Sequence, residues 1–98
     1  MTPEAKIKKL LKQGLDVLPN LYYYMPSSGR YGRVGTPDFF ICYKGFFISV
    51  EPKRSDGKGV LSKMQEITLE KIKKAGSIAL VVSNQEELEN FLKKINNL

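Results

Sequence analysis

The stretch from Gly35 to Arg54, GTPDFFICYKGFFISVEPKR, leaves the chain few ways to fold. Two apolar runs flank Lys44-Gly45, and Gly45 supplies the positive φ that a two-residue hairpin turn demands. With that turn Tyr43 faces Phe46, Cys42 faces Phe47, and counting outward sets Asp38 opposite Glu51. Directly opposed residues share a face, with Cβ atoms about 4.5–5.5 Å apart. Lys53, two residues beyond Glu51, points the same way. A three-residue loop would slip the register by one and part these charges. In the two-residue register one face carries Asp38, Phe40, Cys42, Phe47, Ser49, Glu51 and Lys53, and the other Phe39, Ile41, Tyr43, Phe46, Ile48 and Val50. Both faces are apolar in the middle, so both are expected to be covered by helices. Pro52 lacks a ladder N–H, which predicts that the regular strand ends or bulges at Glu51.

The segments around the hairpin complete an α/β pattern. Thr2-Pro3-Glu4 reads as a helix start, with Thr as N-cap and Pro at the first helical position. Ile7, Leu10 and Leu11 recur on one face while Lys6, Lys8, Lys9 and Lys12 take the others, and Gly14 is the expected terminator. Leu21–Met25 is an aromatic strand closed by Pro26. The Gly- and Ser-rich loop from Ser27 to Pro37 reads equally as a phosphate-contacting loop or a solvated connection. After a turn at Ser55–Gly59, Ser62-Lys63-Met64-Gln65 has capping-box form and opens a helix. Met64, Ile67, Ile72 and Ala75 mark its apolar face, with Leu69 near it, and Gly76 is its C-terminal cap. Ser77–Ser83 is a buried strand, and Asn84 with Glu87 starts a last helix striped by Leu88, Phe91, Leu92 and Ile95. The order is αβββαβα: one domain over residues 1–98, a mixed sheet flanked by helices, with the last strand parallel to the third through a right-handed crossover.

Residue inventory narrows the chemistry. The 98 residues contain no His and one Cys, which removes His-based zinc sites and Ser-His-Asp or Cys-His catalysis. Cys42 has no disulfide partner and is expected to be a buried small hydrophobe. Carboxylates, Lys and Tyr remain. A net charge of +6 favours a polyanionic partner, although many small proteins are basic for solubility alone. No apolar run approaches the roughly 20 residues of a membrane span, and the N-terminus lacks a signal-peptide pattern, so a cytoplasmic location is expected.

Two carboxylates on one face raise each other's pKa unless a cation intervenes. A hard divalent ion such as Mg²⁺ resolves this with oxygen ligands, retained waters and a substrate phosphate. Lys53 beside the pair could then orient water or offset charge on the phosphate, so a chain without His can still hydrolyse a phosphodiester. The same residues also suit a strand-end ion cluster in a non-catalytic, basic nucleic-acid-binding module. Spacing alone leaves these readings open.

Pro37-Asp38 followed by Glu51-Pro52-Lys53 matches the P-D…(D/E)-x-K signature, and the element order is that superfamily's restriction-endonuclease-like core. Gly35-Thr36-Pro37-Asp38, the hairpin, Glu51-x-Lys53-Arg54, a Gly-containing turn, Gln65 at a helix head and Gly76 before a Val-rich strand together resemble the VRR-NUC (virus-type replication-repair nuclease) domain. The resemblance covers roughly Gly29 to Val82. It implies that Asp38 and Glu51 bind metal, that Lys53 is the catalytic lysine, and that Gln65 sits beside the active site, although the capping box alone accounts for Gln65 and one side chain is not expected to serve both roles. It also implies an acidic ligand from the first helix, where only Glu4 qualifies, although Glu4 serves equally as a first-turn carboxylate on the helix dipole. Pro52 departs from the pattern, since a β-former is more usual there. Short stand-alone members resemble Holliday-junction resolvases, so the resemblance implies a homodimeric, Mg²⁺-dependent DNA endonuclease acting on branched DNA, with Mn²⁺ as a substitute. A nicking or restriction-like target is the alternative within the superfamily. Arg30, Arg33, Arg54 and Lys58 are the candidate DNA contacts. Leu21–Met25 and Ser27–Val34 are candidates for a dimer or DNA-facing region.

Overall fold

The turn at Lys44-Gly45 forms with both residues at positive φ, 54° and 82°, the conformation whose twist matches the strands it joins. It fixes the pairing Tyr43↔Phe46 and Cys42↔Phe47 through to Phe39↔Val50. The computed structural model describes residues 1–26, 34–54 and 60–98. Its elements run α1 (Pro3–Asp16), β1 (Tyr22–Tyr24), β2 (Phe39–Tyr43), β3 (Phe46–Pro52), α2 (Lys63–Lys74), β4 (Ile78–Val82) and α3 (Gln85–Asn96). The sheet order is β1-β2-β3-β4. β1, β2 and β3 pair antiparallel, and β3 pairs β4 parallel. Among the described residues no helix is long and apolar enough to cross a membrane.

The caps set the helix ends. Thr2 accepts from the Ala5 N–H at 3.1 Å with Pro3 in the first turn of α1. Asn84 accepts from the Glu87 N–H at 2.8 Å ahead of α3. Gly76 closes α2 in a Schellman arrangement, with Gly76 N–H bonded to Lys73 O and Ser77 N–H to Ile72 O. Gly14 does not end α1, which continues to Asp16. A Cβ on Gly14 would lie 2.5 Å from a Leu92 methyl, so this glycine serves the close approach of α3.

One sheet face is filled. Ile7, Leu11 and Leu15 of α1 and Leu88, Phe91 and Ile95 of α3 bury against Phe39, Ile41, Tyr43, Ile48, Val50 and Val82. The opposite face is covered only in part: α2 packs on β4 and buries Leu69 alone, leaving Met64 and Ile67 exposed. Among the described residues no helix covers this face over β1 and β2, against the expectation that helices cover both faces. Cys42 is exposed there rather than buried, because α2 does not reach that far across the sheet.

Pro52 does not break β3, which pairs Pro52 with Val82. The Lys53 N–H donates to Val82 O at 2.9 Å, so odd-numbered amides of β3 point at β4 and even-numbered ones at β2. The missing N–H of Pro52 thus falls on the β2 side, past the last β2–β3 pair, where no bond is lost.

Gly35, at φ +83°, packs against the first turn of α2, and a Cβ there would lie 2.6 Å from the carbonyl carbon and oxygen of Met64. Gly45 has the same backbone region and open space around it. Gly35→Ala is expected to lower stability by about 2 kcal/mol or more, and Gly45→Ala by about 1 kcal/mol. Urea denaturation of both variants checks the ordering.

Candidate functional site

At the open end of the hairpin, one step beyond the Phe39↔Val50 pair, β3 carries a carboxylate into the interior. Glu51 is 2% exposed, and a buried carboxylate needs its oxygens satisfied. Oε2 accepts the Asp38 backbone N–H at 3.0 Å. Oε1 accepts from Gln65 Nε2 at 3.2 Å, and Lys53 Nζ lies 3.7 Å from the same oxygen. The hairpin thus supplies Glu51, Asp38 and Lys53, while α2 supplies Gln65.

Gln65 performs both tasks, against the expectation that one side chain would serve only one. Its Oε1 accepts the Ser62 N–H at 2.9 Å and its own N–H donates to Ser62 Oγ at 3.1 Å, completing the capping box. Its Nε2 remains for Glu51. A carboxamide has an acceptor at one end and donors at the other, so one side chain caps the helix and touches the acid together.

Lys8, which helical periodicity places off the apolar face with Lys6, Lys9 and Lys12, joins this cluster. Its Nζ is 3.0 Å from Asp38 Oδ2, whereas Lys6, Lys9 and Lys12 are exposed. The signal lay in spacing: Lys8 is four residues after Glu4 and three before the buried Leu11, on the edge of the apolar stripe. Burial pulls the Lys8 pKa down. The hydrogen bond and charge of Asp38, with Glu4 and Glu51, outweigh this and hold it above its ordinary value. Glu4 lies in the first turn of α1 and acts on Glu51 and Lys8 electrostatically. Among the described residues no group of three or more acidic, His or Cys side chains is placed to share a metal ion. Arg54 is half-buried just past β3. Arg30, Arg33 and Lys58 lie outside the described residues.

Burial, reinforced by the Asp38 charge and by Glu4, pushes the Glu51 carboxyl from 4.5 to about 7, against the opposing pull of Lys53 and the Asp38 N–H. The donor set suits a hard divalent cation: two carboxylates, no nitrogen or sulfur ligand, and one acid held at a proton affinity that positive charge would relieve. Two protein carboxylates leave room for the waters and phosphate oxygen that Mg²⁺ keeps.

Between pH 4.5 and 7 the folded chain holds a proton on Glu51 that the unfolded chain has released. The Glu51 contribution to stability therefore falls as pH rises through that window and levels off above it. With a chelator present, this loss is expected to be on the order of 2 kcal/mol. Denaturant titrations of wild type and Glu51→Gln across pH 4–8 isolate it as the difference between two slopes. Equal slopes would mean that Glu51 titrates normally.

A solved structure described as "VRR_NUC domain" has the same fold, with a TM-score of 0.79 and 21% identity over 95% of this chain and 97% of that one. No family model and no curated protein matches the sequence.

Proposed function

We propose that the chain is a metal-dependent DNA endonuclease of the VRR-NUC type. The observation that carries this is the Glu51 carboxylate, buried and held by the Asp38 N–H and Gln65 with the Lys53 ammonium alongside. The shared fold with a VRR-NUC domain and the +6 charge support a DNA substrate. Asp38 and Glu51 would hold the ion, Mg²⁺ or Mn²⁺, with Glu4 adding its charge to the site. When bound, the ion supplies Lewis-acid polarisation of a phosphoryl oxygen and activation of water. Lys53 offsets the charge that develops on the phosphate. Gln65 and the Asp38 amide fix the carboxylate plane of Glu51, so that it meets its partner in one orientation.

Branched DNA cut by a homodimer is the finer reading, and the exposed apolar residues on the sheet face that no described helix covers support it. Tyr22, Tyr24 and Phe47 are 70%, 55% and 46% exposed. The register sets Tyr22 beside Cys42 and Tyr24 beside Phe40, and Phe40 packs against Phe47 with centroids 5.3 Å apart and the rings tilted by 34°. None of these same-face positions is charged, so the patch does not suit a phosphate backbone. Contiguous exposed apolar surface marks a protein interface, and a second copy related by a two-fold axis presents the same uncharged surface in return. Such a dimer carries two sites for two strands of a junction inside the cell.

The direct experiment is cleavage of a labelled four-way junction. Wild type is expected to cut with Mg²⁺ or Mn²⁺ and to stop when the ion is chelated. Asp38→Ala and Lys53→Ala are each expected to cut at least about 10²-fold more slowly. Undiminished cutting by either variant sinks the site assignment, and no cutting of any branched DNA by wild type sinks the substrate. By light scattering, wild type is expected to run as a dimer and Phe47→Glu as a monomer. A monomeric wild type removes the paired-site reading.

A further inference from the structure

We propose that Lys8 is a resident counter-cation of the carboxylate site, exchanged against the divalent ion whenever that ion binds. The inference rests on the metal reading above and concerns what the ion must displace. Two carboxylates, Asp38 and Glu51, stand against two ammonium groups, Lys8 on Asp38 at 3.0 Å and Lys53 on Glu51 at 3.7 Å. With both acids ionised, these four groups balance one another without metal. Adding a divalent ion leaves an excess of two positive charges within a few ångströms unless one cation withdraws.

The two lysines are unequally placed to do so. The Lys53 side chain is 14% exposed and its partner 2%. Its backbone is fixed to β4 by the bond to Val82 O. The Lys8 side chain is 35% exposed and Asp38 28%, so the Lys8 ammonium can swing into water on its four-carbon stem. Its Cα does not move with it, because Ile7 and Leu11 on either side are buried in the core. Lys8 therefore yields to the metal, while Lys53 stays. The consequence is a threshold: the ion gains Asp38 only by outcompeting an ammonium already on it, which weakens metal binding relative to the same site without Lys8.

Calorimetric titration of Mn²⁺ into the whole chain, without DNA, tests this. Lys8→Met is expected to bind Mn²⁺ about tenfold more tightly than wild type, and Lys8→Arg, which keeps the charge, no more tightly than wild type. Should Lys8→Met fail to give the native helical spectrum, Lys8→Gln makes the same comparison with a polar uncharged side chain. Equal or weaker binding by the uncharged variant overturns the exchange. If wild type binds Mn²⁺, Asp38→Asn does not, and the uncharged Lys8 variant matches wild type, the exchange fails while the metal reading stands. If wild type binds no Mn²⁺ at all, both fall.

Discussion

A carboxylate removed from water costs several kcal/mol unless charge and hydrogen bonds replace the lost hydration, and Glu51 is such a group. Its replacements come from separate parts of the chain: an amide at the start of β2, an ammonium just past β3, and a carboxamide on α2. Each must arrive in register for the others to matter. The two-residue turn sets Asp38 against Glu51, the Schellman end and capping box set the length of α2, and Gly35 lets the first turn of α2 come close enough for Gln65 to reach. The burial of one acid is thus a demand that the hairpin, the crossover and α2 satisfy together. It also explains why the carboxyl sits near pH 7 in its proton affinity: the compensation is sufficient to bury the group and insufficient to hold it fully ionised.

The hairpin was legible because its turn chemistry is local. Lys44-Gly45 fixes a register, and the register fixes which residues oppose one another. The caps at Thr2, Ser62, Asn84 and Gly76 were legible for the same reason. What failed were inferences about what lies over a surface. Cys42, Met64 and Ile67 look like core residues in any periodicity count, and all three are exposed, because coverage depends on the path of α2 and not on its apolar content. Lys8 was hidden among Lys6, Lys9 and Lys12, where composition cannot distinguish a solvated ammonium from one turned toward a carboxylate. Pro52 misled because a missing N–H matters only on the side where a partner strand lies, and that side follows from pairing.

The sheet is unequally dressed for a geometric reason. α1 and α3 lie over the same face and fill it together. On the other face the single 12-residue α2 connects adjacent strands β3 and β4, and a crossover between neighbours lies over those neighbours. Strands are about 4.8 Å apart, so one helix about 10 Å wide spans roughly two of them. With four strands in the sheet, no described helix covers β1 and β2 on that side, whatever residues they carry. That they carry tyrosines, phenylalanine and cysteine, with no charge, is the part the sequence chose.

The divided amide of Gln65 narrows what position 65 can be. A capping box alone accepts Glu as readily as Gln, and Glu has the added attraction of the helix dipole. A partner for a buried carboxylate alone would accept Lys or Arg, whose charge would bring Glu51 down. Glu at 65 would set a second anion against the first, and Lys or Arg would leave the Ser62 amide without an acceptor. Asn has both functional ends, on a stem one methylene shorter. Each task by itself tolerates several amino acids, and the tolerances of the two tasks intersect at one.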